Sequence, residues 1–159
     1  MSSTALSLNS ESERIYDVFL SFRGPDTRKK FTDHLYEALR REGFRTFRDD
    51  DGIERGENIR SELLKAIPQS RMSVIVLSQN YSKSKACLSE MQTILQHRKT
   101  KRDHFVLPVF YEVDPLDIKE QARNLDFGEE KVEVVKGWAM ALEEVSNMAG
   151  MVSLNQSNG

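Results

Sequence analysis

The sequence predicts one α/β domain in which a parallel sheet is covered by helices on both faces. Strand-like and helix-like segments alternate along the chain, which is the pattern of strands joined through crossover helices. Met72–Leu77 is an almost continuous β-branched run, as expected of a central strand buried on both faces. The 159 residues, 38% hydrophobic and 30% charged, suffice for one soluble domain with a sizeable core.

The first strand and the first helix follow from the pattern near the start of the chain. Tyr16–Ser21 is the predicted strand, and Asp26 or Thr27 would cap the helix that comes after it. Gly43 suits the C-terminal end of that helix. Apolar residues at spacings of three and four form its core-facing stripe: Phe31, Leu35, Ala38 and Leu39.

A short strand, a charged loop and a second helix are predicted next. Arg45–Arg48 is the strand, and Asp49–Glu57 is the loop. The helix ends near Pro68, because proline is not tolerated in a helix interior. Its inward residues are Ile59, Leu63, Ala66 and Ile67.

The third and fourth strands are the segments Met72–Leu77 and Phe105–Tyr111. A polar loop, Ser78–Lys85, and an amphipathic helix connect them. The inward residues of that helix are Leu88, Met91, Ile94 and Leu95. Pro108 lacks a ladder donor, so we expect an interruption or a bulge in the fourth strand.

The C-terminal third is predicted to hold a short fifth strand and a last helix. We expect the strand somewhere within Leu116–Glu130, at a position that the pattern leaves open. The helix covers about Lys131–Ala149, with Gly150 at its end. Its apolar face consists of Trp138, Leu142, Val145 and Ala149.

The two ends of the chain are expected to lie outside the domain, which would span residues 15–150. Residues 1–14 resemble a disordered tail rich in Ser and Glu, without the basic start and apolar stretch of a signal peptide. Residues 151–159 resemble a C-terminal tail or a linker.

Composition argues against several functional classes. The net charge of −2 gives no overall attraction for nucleic acid or membrane. The apolar runs are far shorter than the roughly 20 residues that cross a bilayer. Cys87 is the only cysteine, which rules out an internal disulfide and fits a reducing compartment. The histidines and the cysteine form no metal-ligand pattern.

A basic turn follows the first strand and contains Arg23, Gly24 and Arg28. In open parallel sheets, ligands bind just outside the carboxyl ends of the strands. Arginine forks suit phosphate oxygens, and a glycine allows close approach of the backbone. The turn therefore predicts a site for an anionic ligand, and the alternative is a connecting loop with solvated arginines.

Eight ordered motifs resemble those of plant-type Toll/interleukin-1 receptor (TIR) domains, over about residues 15–150. The motifs are Tyr16–Gly24, Asp26–Arg28 with Phe31–Thr32, Thr46–Asp50, Glu54–Gly56, Glu62–Ile67, Ser78–Tyr81, Cys87–Glu90 and Leu107–Pro115. The resemblance implies a flavodoxin-like three-layer sandwich whose five-stranded parallel sheet has the order 2-1-3-4-5.

The resemblance also implies a function in plant innate immunity. Such domains self-associate and, once assembled, cleave the nicotinamide–ribose bond of NAD+, and the products lead to defence and cell death. The expected substrate is NAD+ or NADP+, with no permanently bound cofactor. The expected partners are other TIR domains, the nucleotide-binding and leucine-rich-repeat portion of a larger receptor and, through the products, lipase-like proteins. The expected location is cytoplasmic or nuclear.

Glu90 matches the catalytic glutamate of the family. Nicotinamide in NAD+ already carries positive charge and leaves without a general acid, so one carboxylate can stabilise the oxocarbenium-like transition state. The alternative is an exposed helical glutamate. By the same resemblance Arg23, Gly24, Arg28 and Ser84 line the nucleotide pocket, although Ser84 would equally suit a helix N-cap.

The resemblance assigns further residues to gating and assembly. Asp49–Glu57 corresponds to a mobile loop, or is an ordinary acidic surface loop. Asp33 and His34 fall where the family packs two protomers, and two aspartates meeting at a two-fold axis would weaken that interface. Trp138 lies in the helix of the second interface, although its apolar stripe favours the core.

Ala86 departs from the family pattern, which has tryptophan before the Cys-Leu-x-Glu motif. Loss of a stacking surface would cost about 1–3 kcal/mol of binding, or roughly ten- to a hundredfold. The segment before Trp138 is also shorter than usual. These departures favour an alternative function, a weak or inactive TIR adaptor that acts through protein contacts. A phosphoacceptor receiver domain fits less well, because the acidic cluster follows the second strand.

Overall fold

A computed structural model describes residues 14–27, 31–48 and 64–153, and for residues 26, 27 and 153 it describes the backbone alone. These residues form one parallel sheet in the strand order β2-β1-β3-β4-β5, which confirms the predicted fold class. The strands are β1 Tyr16–Ser21, β2 Thr46–Arg48, β3 Ser70–Leu77, β4 Phe105–Tyr111 and β5 Met151–Ser153.

The described helices cover both faces of the sheet. They are α1 Gly24–Thr27, α2 Asp33–Arg41, α3 Lys85–Thr100, α4 Pro115–Arg123 and α5 Val132–Ser146, with a 3-10 turn at Tyr81–Lys83. Side chains of α2 pack on one face, and side chains of α3, α4 and α5 pack on the other. Gly43 has a φ of +92° just after α2, as its predicted role at a helix end requires.

The strand order places a switch point between β1 and β3. From β1 the chain crosses to β2 on one side, whereas from β3 it proceeds through β4 to β5 on the other. Because both crossovers have the same hand, their helices lie on opposite faces. In folds of this class, ligands bind outside the carboxyl ends of the strands at such a switch point.

The apolar run in β3 serves both cores, as predicted for a central strand. Ile75 and Leu77 belong to the core under α3 and α5, whereas Val74 and Val76 belong to the core under α2. All four side chains are at most 5% exposed. Alternation of side chains across a strand makes both faces apolar when both are covered.

The prediction of an interruption or a bulge in β4 is wrong. The pairing with β3 continues through the Ile75–Pro108 register, and β4 is a single strand. Pairing with β5 begins only at Val109, one residue after the proline. The missing donor therefore removes at most one ladder bond and does not break the strand.

The expected position of the fifth strand is also wrong. Residues 115–123 form α4, whose N-terminus has Pro115 in the first turn and a capping box between Asp114 and Asp117. The fifth strand is Met151–Ser153, inside the segment expected to be a tail. The domain therefore extends beyond residue 150.

Gly150 was predicted to end the last helix, but it packs against β4 instead. The helix α5 already ends at Ser146. A Cβ at this position would stand 2.4 Å from the carbonyl oxygen of Pro108. The glycine therefore lets the backbone approach β4 closely enough for β5 to pair.

Two predicted elements fall partly or wholly outside the described residues. The Asp49–Glu57 loop is one, and the start of the second helix is the other. Its last residues are helical at 64–66, and Ala66 and Ile67 are buried as predicted. No helix in the described part of the chain is long and apolar enough to cross a membrane.

Candidate functional site

The carboxyl ends of β1 and β3 place a buried carboxylate at the switch point. Strand β1 ends at Ser21, and β3 leads through the turn Tyr81–Lys83 into α3. Glu90 lies in the second turn of α3 and is only 5% exposed. The alternative of an exposed helical glutamate is therefore wrong.

A hydroxyl group from β1 holds the Glu90 carboxylate. Ser21 Oγ donates a hydrogen bond to Glu90 Oε1 over 2.8 Å, and the Ser21 side chain is fully buried. An ionised carboxylate is very costly to bury unless polar groups compensate it. The serine at the end of an otherwise apolar strand supplies part of that compensation.

Tyr81 extends this contact into the core. Its hydroxyl oxygen lies 2.7 Å from Ser21 Oγ, and it donates to the carbonyl oxygen of Cys87 over 3.0 Å. Burial, with the nearby Cys87 and Glu90, raises the pKa of Tyr81 well above its ordinary value of 10. The phenol therefore keeps its proton.

Sequence reasoning did not assign Ser21 or Tyr81 to the site, although both lie in motifs that carry the family resemblance.

Ser84 is the N-cap of α3. Its Oγ accepts a hydrogen bond from the backbone N–H of Cys87 over 3.1 Å, so the N-cap alternative is confirmed. The cap uses an oxygen lone pair and leaves the hydroxyl proton available for donation. Ala86 is half-buried one helical turn before Glu90, hence on the same face of α3. A larger side chain at residue 86 would stand next to the carboxylate.

The basic turn is described only in part. Arg23 is half-buried between β1 and α1, and Gly24 is the buried first residue of α1. Both lie within three residues of Ser21, at the carboxyl end of β1. Arg28 lies outside the described residues, as does the Asp49–Glu57 loop. The structure therefore brings Arg23, Gly24 and Ser84 to the Glu90 edge and leaves Arg28 untested.

The predicted interface residues differ from one another in their surroundings. His34 is exposed on α2. Asp33 pairs with Arg48, whose Nη1 lies 2.6 Å from the carboxylate and whose guanidinium stacks 4.0 Å from the ring centre of Tyr36. This pairing within the chain offsets part of the repulsion predicted for two aspartates that meet at such an interface.

Trp138 is a core residue. It is 4% exposed and packs edge to face against Phe127, with ring centres 5.4 Å apart. The apolar-stripe prediction is confirmed. Its burial leaves this side chain almost no surface for contact with a partner.

A separate crevice of about 680 Å³ lies on the other side of the Tyr81–Lys83 turn. Ser82, Gln121 and Phe127 line it, and Ser82 Oγ donates a 2.7 Å hydrogen bond to Gln121 Oε1. Glu90 is not part of its wall. Within the described residues, no group of three His, Cys, Asp or Glu side chains is placed to hold a metal ion.

The fold and the site together define a flavodoxin-like α/β domain with a buried carboxylate at the switch point of its sheet. Residues 15–159 match the family model described as the TIR domain, and the chain belongs to that family. The match includes the segment that forms β5, which agrees with the corrected domain boundary.

The similar curated proteins are plant disease resistance proteins. The chain is 51% identical over 142 residues to disease resistance protein RUN1 of Vitis rotundifolia, covering 85% of this chain and 11% of that protein. It is 44% identical over 152 residues to TMV resistance protein N of Nicotiana glutinosa, covering 91% of this chain and 13% of that protein. The chain thus spans about a tenth of the length of these relatives.

Two solved structures share the fold. The TIR domains of the activated Roq1 resistosome, which directly recognises the pathogen effector XopQ, match with a TM-score of 0.77 and 42% identity. That match covers 91% of each chain. A chain of the RPS4 and RRS1 TIR domain heterodimer matches with a TM-score of 0.51 and 24% identity, over 82% of this chain and 92% of that one, and supports the fold alone.

Proposed function

We propose that this chain is a plant immune signalling domain that cleaves the nicotinamide–ribose bond of NAD+ or NADP+ when it assembles with other TIR domains. The observation that carries the proposal is Glu90, a buried carboxylate held by Ser21 at the switch point. The similarity to disease resistance proteins and to the TIR domains of an activated resistosome supports the immune context.

The chemistry needs little beyond a positioned carboxylate. The bond between ribose C1′ and the nicotinamide nitrogen breaks, and its electron pair leaves with a neutral nicotinamide. Water adds to C1′ and loses a proton to solvent. The positive charge that develops on the ribose is stabilised by the Glu90 carboxylate, while Arg23 supplies positive charge suited to the phosphates.

The proposal includes partners and location. Assembly partners are other TIR domains, and the rest of a nucleotide-binding, leucine-rich-repeat receptor would supply the trigger. Products of cleavage would act on lipase-like proteins in the cytoplasm or nucleus. The overall similarity to relatives that are about ten times longer supports a receptor context.

The experiment is NAD+ consumption by the purified chain concentrated on a crowding surface. Glu90→Ala should abolish turnover while the thermal unfolding transition remains cooperative. Glu143→Ala, an exposed glutamate of α5, is the matched control and should retain turnover. Turnover by a folded Glu90→Ala protein would remove the proposal.

Ala86 favours a second candidate function, a non-catalytic adaptor. A small residue stands on the Glu90 face of α3, where the family pattern has an aromatic ring. An adaptor would show no turnover at any surface density, and would still pair through the α2 surface around His34. Restoration of turnover by Ala86→Trp would identify an intact pocket that lacks its stacking surface.

A further inference from the structure

We propose that Ser21 and Tyr81 are positioning residues that fix the Glu90 carboxylate through a chain of hydroxyl groups. The inference rests on the proposed function, because it concerns the same site. Neither residue is assigned a contact with substrate. Their action is on Glu90 alone.

The chain of hydroxyl groups joins three separate elements of the fold. It runs from the Cys87 carbonyl in the first turn of α3, through the Tyr81 phenol of the 3-10 turn, to the Ser21 hydroxyl of β1 and then to Glu90 Oε1. The successive oxygen–oxygen distances are 3.0, 2.7 and 2.8 Å. Glu90 therefore has its orientation set by atoms outside its own helical turn.

The hydroxyl protons determine the donor-to-acceptor direction of this series of hydrogen bonds. Ser21 has one hydroxyl proton and donates it to Glu90. The 2.7 Å contact between Ser21 and Tyr81 therefore needs the phenolic proton, which the Cys87 carbonyl also faces. Tyr81 shares its proton between two acceptors, and its raised pKa keeps that proton in place. A phenol that donates to Ser21 strengthens the bond from Ser21 to Glu90.

Close packing holds the hydroxyl groups of Ser21 and Tyr81 in place. Tyr81 and Ser21 are both fully buried, and Tyr81 belongs to the core that also contains Cys87 and Leu88. Side chains enclosed in this way have little room to adopt another rotamer. A tyrosine that served packing alone would need no hydroxyl, and phenylalanine would replace it without effect on Glu90.

The first test is steady-state NAD+ turnover by the 159-residue chain and its variants. Ser21→Ala should lower kcat by roughly ten- to a hundredfold with little change in KM, because a displaced catalytic group costs rate and not ground-state binding. Ser21→Thr keeps the hydroxyl and should recover most of the loss. Tyr81→Phe should lower kcat by a smaller factor than Ser21→Ala.

Two variants are matched controls. Ser73→Ala removes a fully buried serine hydroxyl of β3 that bonds His104, and Tyr111→Phe removes a phenol on the opposite face of the sheet. Both should retain kcat. Equal losses in Ser73→Ala and Ser21→Ala would overturn the inference, since they would show a general effect of buried hydroxyls.

The second test does not depend on turnover. In protein labelled with 13C at the glutamate side-chain carboxyl, the Glu90 signal is assigned from its absence in Glu90→Gln. That signal should move in Ser21→Ala and Tyr81→Phe and stay in place in the two controls. Coincident signals in wild type, Ser21→Ala and Tyr81→Phe would overturn the inference.

The two tests separate the inference from the function on which it rests. A wild-type chain without turnover, but with the expected movement of the Glu90 signal, would reject the enzyme and keep the positioning chain. If Ser21→Ala does not unfold cooperatively, Tyr81→Phe decides the question, because it preserves the packing of the ring.

Discussion

Two buried polar networks lie on the same face of the sheet, and only the one at the carboxyl end faces the switch point. At that end, Ser21 of β1 bonds the Glu90 carboxylate. Toward the amino end, Ser73 of β3 lies 2.8 Å from Nε2 of His104, while His104 Nδ1 lies 3.1 Å from the carbonyl of Ser70. Both networks centre on a serine with no exposed surface.

The networks differ in the group that they hold, an imidazole ring in one and a carboxyl group in the other. Burial, with His97 nearby, lowers the pKa of His104 from 6.5 to about 4, so that the ring is neutral near pH 7. A neutral ring with a hydroxyl donor on one nitrogen and a carbonyl acceptor on the other is satisfied without charge. Glu90 instead belongs to the edge where ligands of this fold bind. Burial of a titratable group is therefore shared by both networks, and Glu90 is singled out as a candidate by its position at the carboxyl edge of the sheet.

The largest expected effect is a loss of NAD+ turnover when Glu90 is replaced, with no such loss when His104 is replaced. On the proposed function, Glu90→Gln removes the charge assigned to stabilising the transition state and should lower kcat by roughly a hundred- to a thousandfold. His104→Gln should leave kcat near the wild-type value and lower the unfolding midpoint. Turnover assays beside calorimetry check both, and a comparable kcat loss in His104→Gln would break the comparison.

The amino-end network should make stability depend on pH. The pKa of His104 is about 4 in the folded chain and 6.5 in the unfolded reference, so the unfolded state binds the proton first as pH falls. Stability from this group is complete above pH 6.5 and is lost towards pH 4, by roughly 3 kcal/mol in all. His97, Asp103 and Arg14 also act on the ring.

Urea unfolding at several pH values measures this loss. Because other groups titrate in the same range, the informative quantity is the difference between wild type and His104→Gln. We expect the steeper slope in wild type between pH 4 and 6.5. Equal slopes would show that His104 does not carry the dependence.

Removal of the amino-end hydroxyl should affect stability and leave catalysis unchanged. Ser73→Ala leaves a nitrogen of the buried His104 without this partner, at a cost of about 1–3 kcal/mol in the free energy of unfolding. Denaturant melts measure the cost, and NAD+ turnover should stay at the wild-type level. A stability loss without an activity loss sharpens the contrast with Ser21→Ala.

The smallest effect is expected at the N-cap beside the carboxyl-end network. Ser84→Ala removes the acceptor of the Cys87 N–H and should cost about 1 kcal/mol of stability. Ser84→Asp retains an acceptor and serves as the control for the cap. A fall in turnover in Ser84→Asp, with stability restored, would assign the hydroxyl a contact with substrate in addition to its cap.

The sequence predicted four of the five strands and singled out Glu90 as a candidate site residue, and the burial of Glu90 was also within reach. Cys87, Met91 and Ile94 line one face of α3 and are buried. Glu90 is three residues after Cys87 and four before Ile94, so the helical period already places it inward. A polar residue at a core position of an amphipathic helix is the signal that sequence reasoning passed over.

The fifth strand could not be predicted by the same reasoning. It has three residues, and Met151 and Val152 are 60% and 52% exposed, so it shows no alternation between apolar and polar positions. Its existence depends on the backbone of Gly150 fitting against Pro108, which is a contact between distant parts of the chain. The pattern of apolar residues indicates which faces of helices and strands are buried, and it carries no information about such a contact.

The Tyr81–Ser84 segment has a consequence for motion at the site. Three of its hydroxyl groups bond three different elements: Tyr81 reaches Ser21 of β1, Ser82 reaches Gln121 of α4, and Ser84 caps α3. Segments bonded to several packed elements belong to the more stable parts of a fold, whereas loops with few such contacts open locally. Opening of this segment breaks all three bonds together, so we expect its amides to be among the more protected in hydrogen exchange.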